Sequence, residues 1–106
     1  MIPEKRIEES LTLLAETDSE FGTLRGRCDG LDYRSKIEEA KGYLDAEGTQ
    51  EQRKSLARTA SGFVKMVEEY EETRIAYLTL QARRKREELI VEVWRTQQAS
   101  SRRGHD

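Results

Sequence analysis

A single proline, Pro3, stands near the start of this 106-residue chain, and no other proline follows it. Proline disrupts a helix interior but suits the first turn of a helix, so its placement permits long, uninterrupted helices. Valine, isoleucine and leucine recur at intervals of three or four residues, and no hairpin turn separates two runs of alternating hydrophobicity. The sequence therefore predicts an all-α protein.

Capping signals divide the predicted helical chain into four segments. Thr17 and Glu20 have the spacing of a capping box, which predicts the end of one helix and the start of another. Gly48 suits the residue after a helix, and Thr49 with Gln52 repeats the capping-box spacing. The predicted helices are Pro3–Glu16, Thr17–Glu47, Gln50–Arg58 and Ser61–Gln98.

The simplest arrangement of these helices is an antiparallel helical hairpin. The second and last helices would pack together, joined by residues 48–60, with the short N-terminal helix folded against them. Residues 1–99 would form a single helical domain, and residues 100–106 a disordered tail. Only 35% of the residues are hydrophobic and 38% are charged, so one hairpin has a thin core. We therefore expect coiled-coil-like assembly into a homo-oligomer.

Three groups of apolar residues are predicted to pack. The first follows helical spacing near the start of the chain: Ile7, Leu11 and Leu14. The second has the spacing of a coiled-coil seam, and its cysteine is interpreted as a buried small side chain: Phe21, Leu24, Cys28 and Leu31. The third is the densest apolar patch and is the predicted core or oligomer contact: Leu89, Ile90, Val93 and Trp94.

A row of glycines lies beside the coiled-coil seam. Gly22, Gly26 and Gly30 are four residues apart, and each costs about 1 kcal/mol relative to alanine within a helix. The helix could break near Gly30, or the glycines could form a ridge on which another helix lies closely. The row continues into Tyr33 and Ile37, which favours the ridge.

The composition excludes several kinds of catalytic site. His105 is the only histidine and lies in the predicted disordered tail, so we expect no Ser-His-Asp, Cys-His or HExxH site, and Cys28, the only cysteine, cannot form an internal disulfide. The clustered glutamates, such as Glu68 with Glu72 and Glu87 with Glu88, are interpreted as solvent-facing. We therefore expect a non-enzymatic protein with no metal and no cofactor.

The sequence also bears on cellular location. No run of about 18 apolar residues exists, and residues 1–6 lack the apolar core of a signal peptide. These features favour a cytoplasmic protein that does not enter a membrane.

Charged residues occur in blocks of one sign. Residues 53–67 contain four basic residues and no acidic ones, and residues 83–86 are all basic. Such blocks either contact phosphates or form solvated faces and inter-subunit ion pairs, and spacing alone favours the second interpretation. Tyr43 could add a stacking surface for a base. The candidate nucleic-acid contacts are Lys41, Arg53, Lys54, Arg58, Arg83, Arg84, Lys85 and Arg86.

The order of the segments resembles that of the UvsY-like recombination mediators of tailed phages. Lys41, Leu44 and Asp45 match a stretch that precedes the turn in that family, while Tyr43 stands where the family has a basic residue. The segment from Leu80 to Arg95 looks like the closing helix of the family, and the likeness covers roughly residues 20–98.

The resemblance implies a role as well as a fold. It implies a ring-like homo-oligomer that binds single-stranded DNA, with Lys41 as the DNA-contacting lysine. It also implies a partner recombinase or annealing protein and a single-strand binding protein that is displaced. For a phage protein, the location would be the cytoplasm of the host cell.

A second hypothesis is a helical adaptor or inhibitor, a phage accessory protein that docks on a phage or host enzyme. Its acidic stretches, residues 1–24 and 37–52, would meet a basic partner. The acidic isoelectric point of about 5.6 favours this hypothesis.

Overall fold

The computed structural model describes residues 1–104, and these residues form three helices and no strand. The all-α prediction is therefore confirmed. The last helix includes residues 100–104, which the sequence analysis assigned to a disordered tail. The remainder of that predicted tail, His105 and Asp106, lies outside the described residues. The helices are α1 (Glu4–Asp45), α2 (Gln50–Thr59) and α3 (Ser61–Gly104).

The first helix is continuous, so the predicted boundary at Thr17 is wrong. The Thr17 hydroxyl donates a hydrogen bond to the Leu13 carbonyl at 2.7 Å instead of capping a new helix. A threonine side chain can bond to the carbonyl four residues earlier without ending the helix. Neither glycine nor proline lies between residues 14 and 21 to stop the chain, and α1 therefore extends over 42 residues.

The turn before α2 follows the sequence signals. Gly48 adopts a φ of 119°, a conformation that favours glycine. The Thr49 side chain accepts a hydrogen bond from the Gln52 backbone, and the Gln52 side chain accepts one from the Thr49 backbone. The predicted capping box is confirmed, and α2 ends one residue after the predicted position.

The contacts of the described chain divide it into two compact units. The first unit contains Met1–Gly22 and the chain from Leu78, and the second unit contains Thr23–Tyr77. In the first unit, Ile2 contacts Gln97 and Arg6 contacts Glu87. Later residues near the start of the chain contact earlier residues of α3, as they do when two helices run antiparallel.

In the first unit, α3 turns a mixed polar and apolar face inward. Leu80, Glu87 and Val91 are buried, and Arg84 and Trp94, on the same face, are partly buried. These positions follow the four-three spacing of a helix face. The inward residues are Leu80, Arg84, Glu87, Val91 and Trp94.

Two of the apolar groups that the sequence predicts to pack include exposed residues. Ser10 is fully buried, whereas Leu11 is 50% exposed. Of the predicted core patch, Leu89 and Val93 are exposed, and Ile90 and Trp94 are only partly buried. Val91 of the same run is buried, so the run contributes to the core of the first unit, and the oligomer contact of its exposed members stays a prediction. The predicted burial of Cys28 and Leu31 in the second unit is confirmed.

The row of glycines in α1 is neither a break nor a ridge within the described chain. The helix continues through Gly30, and a Cβ atom added at Gly22, Gly26 or Gly30 would meet nothing within 4 Å. The close approach instead occurs at Gly42, where an added Cβ would lie 3.0 Å from the Ala57 Cα and 3.2 Å from its Cβ. Ala57 is completely buried by this contact of α1 with α2.

These glycines provide a matched pair of substitutions. We expect Gly42→Ala to destabilise the protein by about 1–3 kcal/mol, because the added methyl group must push the Ala57 backbone away. We expect Gly22→Ala to stabilise it by up to about 1 kcal/mol, because the site is open and alanine favours a helix. Urea denaturation of both variants measures these changes. A Gly42→Ala variant as stable as the wild type would show that the α1–α2 contact adjusts without cost.

Candidate functional site

The structure places the predicted basic residues in different environments, and Arg84 is the most constrained of them. Its guanidinium donates hydrogen bonds to the Leu14 carbonyl at 2.9 Å and the Thr17 hydroxyl at 2.8 Å. It also pairs with Asp18 at 3.0 Å and lies 4.9 Å from the centre of the Phe21 ring. Only 12% of the Arg84 side chain is exposed. Arg84 therefore holds α3 against α1, and little of its side chain faces solvent.

The other members of the 83–86 run face solvent. Arg83, Lys85 and Arg86 are all exposed. The Arg86 Nε lies 4.0 Å from a Glu87 carboxylate oxygen, at the outer limit of an ion pair. Three of the four predicted cations at this position can therefore reach a ligand.

The inward neighbour of this run, Glu87, is at the centre of a buried polar cluster. Its two carboxylate oxygens each accept a hydrogen bond from the Arg6 guanidinium at 2.9 Å. The Ser10 hydroxyl donates a third hydrogen bond at 2.6 Å. Glu87 is only 4% exposed, so its interpretation as solvent-facing is wrong, whereas Glu68, Glu72 and Glu88 are exposed as expected. We call Arg6, Ser10 and Glu87 the buried polar cluster.

Hydrogen bonding determines the ionisation of this cluster. The hydrogen bonds from Arg6 and then Ser10 lower the pKa of Glu87 to about 2, although burial acts in the opposite direction. The same pairing with Glu87 raises the pKa of Arg6. Both groups are charged at neutral pH, so the cluster suits a structural role rather than proton transfer. Within residues 1–104, no group of three or more acidic, cysteine or histidine side chains could hold a metal ion.

Of the predicted cations of the second unit, Arg53 is half-buried, and the other three are exposed and partly paired. The Lys41 ammonium lies 3.8 Å from Glu38, and the Arg58 guanidinium lies 3.2 Å from Glu39. Lys54 is exposed on α2. Exposed ion pairs of this kind are weak, so these cations could exchange their partners for a phosphate.

An apolar groove lies between α1 and α2 in the second unit. Its volume is about 470 Å³. Arg53 lies over one face of Tyr43, with its guanidinium carbon 5.6 Å from the ring centre, and its buried Nε has no hydrogen-bond partner. We call this the Tyr43 groove. Its lining residues are Lys36, Glu39, Ala40, Tyr43, Leu44, Lys54 and Ala57.

The same stretch of α1 presents an uncovered apolar face. Tyr33 is 67% exposed, Leu44 is 77% exposed, and Ile37 also faces solvent. These residues follow Gly26 and Gly30 at helical spacing. The glycines, Tyr33 and Ile37 are the residues that the sequence predicted to form a packed ridge. We call it the α1 stripe, and it contains Gly26, Gly30, Tyr33, Ile37, Ala40 and Leu44.

The sequence analysis missed the buried polar cluster. Ser10 lies one turn after Arg6, and Glu87 follows Leu80 and Arg84 at four-three spacing. These spacings could have placed the polar residues on inward faces, but nothing in the sequence links α1 with α3 across 81 positions.

Neither a membrane-spanning helix in the described chain nor a known relative adds to the description of this site. Within residues 1–104, no helix combines the length and the apolar character that crossing a membrane requires. The chain matches no protein-family profile, no curated protein and no solved structure.

Proposed function

We propose that this protein is a non-enzymatic binding protein that works as a homo-oligomer and docks other helices on its exposed apolar faces. One observation carries the proposal: eleven large hydrophobic side chains are exposed in the described chain, whereas six hydrophobic residues form its buried core. Such an excess of uncovered apolar surface is typical of proteins that bind other protein surfaces.

The proposed subunit is an antiparallel helical hairpin of coiled-coil character. Its support in the first unit is the order of the α1–α3 contacts, from Ile2 with Gln97 to Arg84 with Leu14. In the second unit, Arg58 of α2 pairs with Glu39 of α1. With so few buried side chains, a hairpin of this kind gains stability when copies cover one another.

Docking on another protein is the first candidate activity. The adaptor or inhibitor hypothesis needs exposed apolar surface. The α1 stripe provides one such surface, and α3 adds the exposed side chains of Val64, Ile75, Leu78, Leu89 and Val93. The partner would be a phage or host enzyme with a complementary helix or groove.

Single-stranded DNA is the second candidate ligand, and the Tyr43 groove favours it. An apolar floor with an aromatic ring can receive a base, and Lys36 and Lys54 on the groove can meet the phosphates. The protein would then act in the cytoplasm as a recombination mediator beside a recombinase or annealing protein and a single-strand binding protein.

A titration with fluorescent oligo-dT separates the two candidates. If the Tyr43 groove binds DNA, affinity should fall steeply between about 50 and 200 mM salt, because bound phosphates release counterions. Lys54→Ala should weaken binding several-fold and reduce the salt slope by about one. Lys65→Ala, an exposed lysine away from the groove, is the matched control and should change neither value.

Two outcomes contradict parts of the proposal. If oligo-dT does not bind at about 50 mM salt, the DNA candidate fails and protein docking remains. If sedimentation shows a monomer at all micromolar concentrations, the homo-oligomer fails whatever the DNA result.

A further inference from the structure

The α1 stripe has a basic edge. Arg27, Arg34 and Lys41 are seven residues apart, which is close to two helical turns, so they follow one side of the stripe. All three are exposed, and Lys41 is 3.8 Å from Glu38. Glu69 lines a small pocket of the second unit together with Arg27 and Arg34. The stripe therefore combines an uncovered apolar surface with positive charge along this margin, whereas its other margin carries both signs, with Asp29, Asp32, Lys36 and Glu39.

This charge pattern argues against pairing the stripe with the same stripe of another copy. In an antiparallel pair of such helices, the edge with Arg27 and Arg34 would face itself. Like charges placed opposite one another disfavour association. A helix that combines apolar residues with acidic ones is the better complement.

The second unit contains such a helix face on α3. Val64 and Ile75 are 39% and 66% exposed, and Glu68 and Glu71 lie between them at four-three-four spacing. Glu72, one residue further, is also exposed. We call these five residues the acidic face of α3.

We propose that the acidic face of α3 from a second copy docks on the α1 stripe, with its glutamates against Arg27, Arg34 and Lys41. The open Cα atoms of Gly26 and Gly30 leave space for a large apolar side chain such as Ile75. This inference rests on the homo-oligomer of the proposed function and names the surfaces through which its subunits touch. If each copy makes this contact with a different neighbour, the contact is heterologous and builds a ring or an open chain; if two copies make it reciprocally, it builds a two-fold dimer.

Charge reversal at the centre of each surface tests the contact. Arg34→Glu alone and Glu71→Arg alone should each weaken assembly at least about tenfold, measured by sedimentation across a concentration series. An equimolar mixture of the two variants should assemble again, because each altered surface then meets its complement. The double variant should also assemble on its own. Lys5→Glu, at an exposed position of α1 outside residues 26–44, is the matched control and should assemble like the wild type.

The outcomes distinguish this contact from the general proposal. A wild-type monomer would overturn the homo-oligomer itself. A wild-type oligomer that Glu71→Arg leaves intact would overturn only the α1–α3 contact, as would the absence of rescue in the mixture and the double variant. Circular dichroism of each variant, with helicity equal to the wild type, confirms that assembly and not folding has changed.

Discussion

Glu87→Ala should lower the free energy of unfolding at neutral pH by about 3 kcal/mol. The substitution removes a bidentate partner from Arg6 and leaves the hydroxyl of the fully buried Ser10 without its carboxylate. The expected cost lies at the low end for a broken buried pair because about a third of the Arg6 side chain is exposed. Urea denaturation measures the change, and Glu88→Ala, an exposed neighbour, should alter stability by less than about 0.5 kcal/mol.

The same carboxylate predicts a pH dependence. Its pKa is about 2 in the folded protein and 4.5 for an unperturbed glutamate, so protonation favours the unfolded state. The stabilisation from Glu87 is therefore complete above about pH 5 and is lost as the pH falls toward 2. Thermal melts across this range should show a smaller decrease for Glu87→Ala than for the wild type. Parallel curves would contradict the assigned ionisation.

Arg84→Met should have the second largest effect, a loss of about 2–3 kcal/mol. Methionine keeps the aliphatic packing but removes the hydrogen bonds to Leu14 and Thr17, the ion pair with Asp18 and the contact of the guanidinium with the aromatic ring. Denaturation in guanidinium chloride measures this loss of stability.

Lys85→Met is the matched control because Lys85 is exposed on the next position of α3. It should leave stability within about 0.5 kcal/mol of the wild type. An Arg84→Met variant with unchanged stability and reduced oligo-dT binding would contradict the structural role and return Arg84 to the candidate DNA contacts.

Local signals explain what could be predicted from the sequence. The helical class, the turn at Gly48 and the capping box of Thr49 with Gln52 all depend on residues close together in the chain. The similar signal at Thr17 failed because a threonine can bond within a continuous helix, and no glycine or proline next to it stops the chain.

Long-range pairing explains what could not be predicted. Hydrophobic spacing assigns charged residues to the solvent side, yet Glu87 is buried because Arg6 and Ser10 supply its hydrogen bonds. The sequence likewise does not predict which glycine lets two helices approach closely, because that approach depends on the neighbouring helix. Gly42 lies against Ala57, whereas the more regular row that contains Gly26 is open.

The buried polar cluster also determines how α1 and α3 align in the first unit. Apolar side chains tolerate a slide of one helical turn, about 5.4 Å, because the next turn offers a similar surface. The same slide would carry Glu87 away from both Arg6 and Ser10 and leave a buried carboxylate without donors, which is strongly unfavourable. In a protein whose exposed faces offer many alternative helix partners, the cluster thus selects one alignment of these two helices and excludes its shifted competitors.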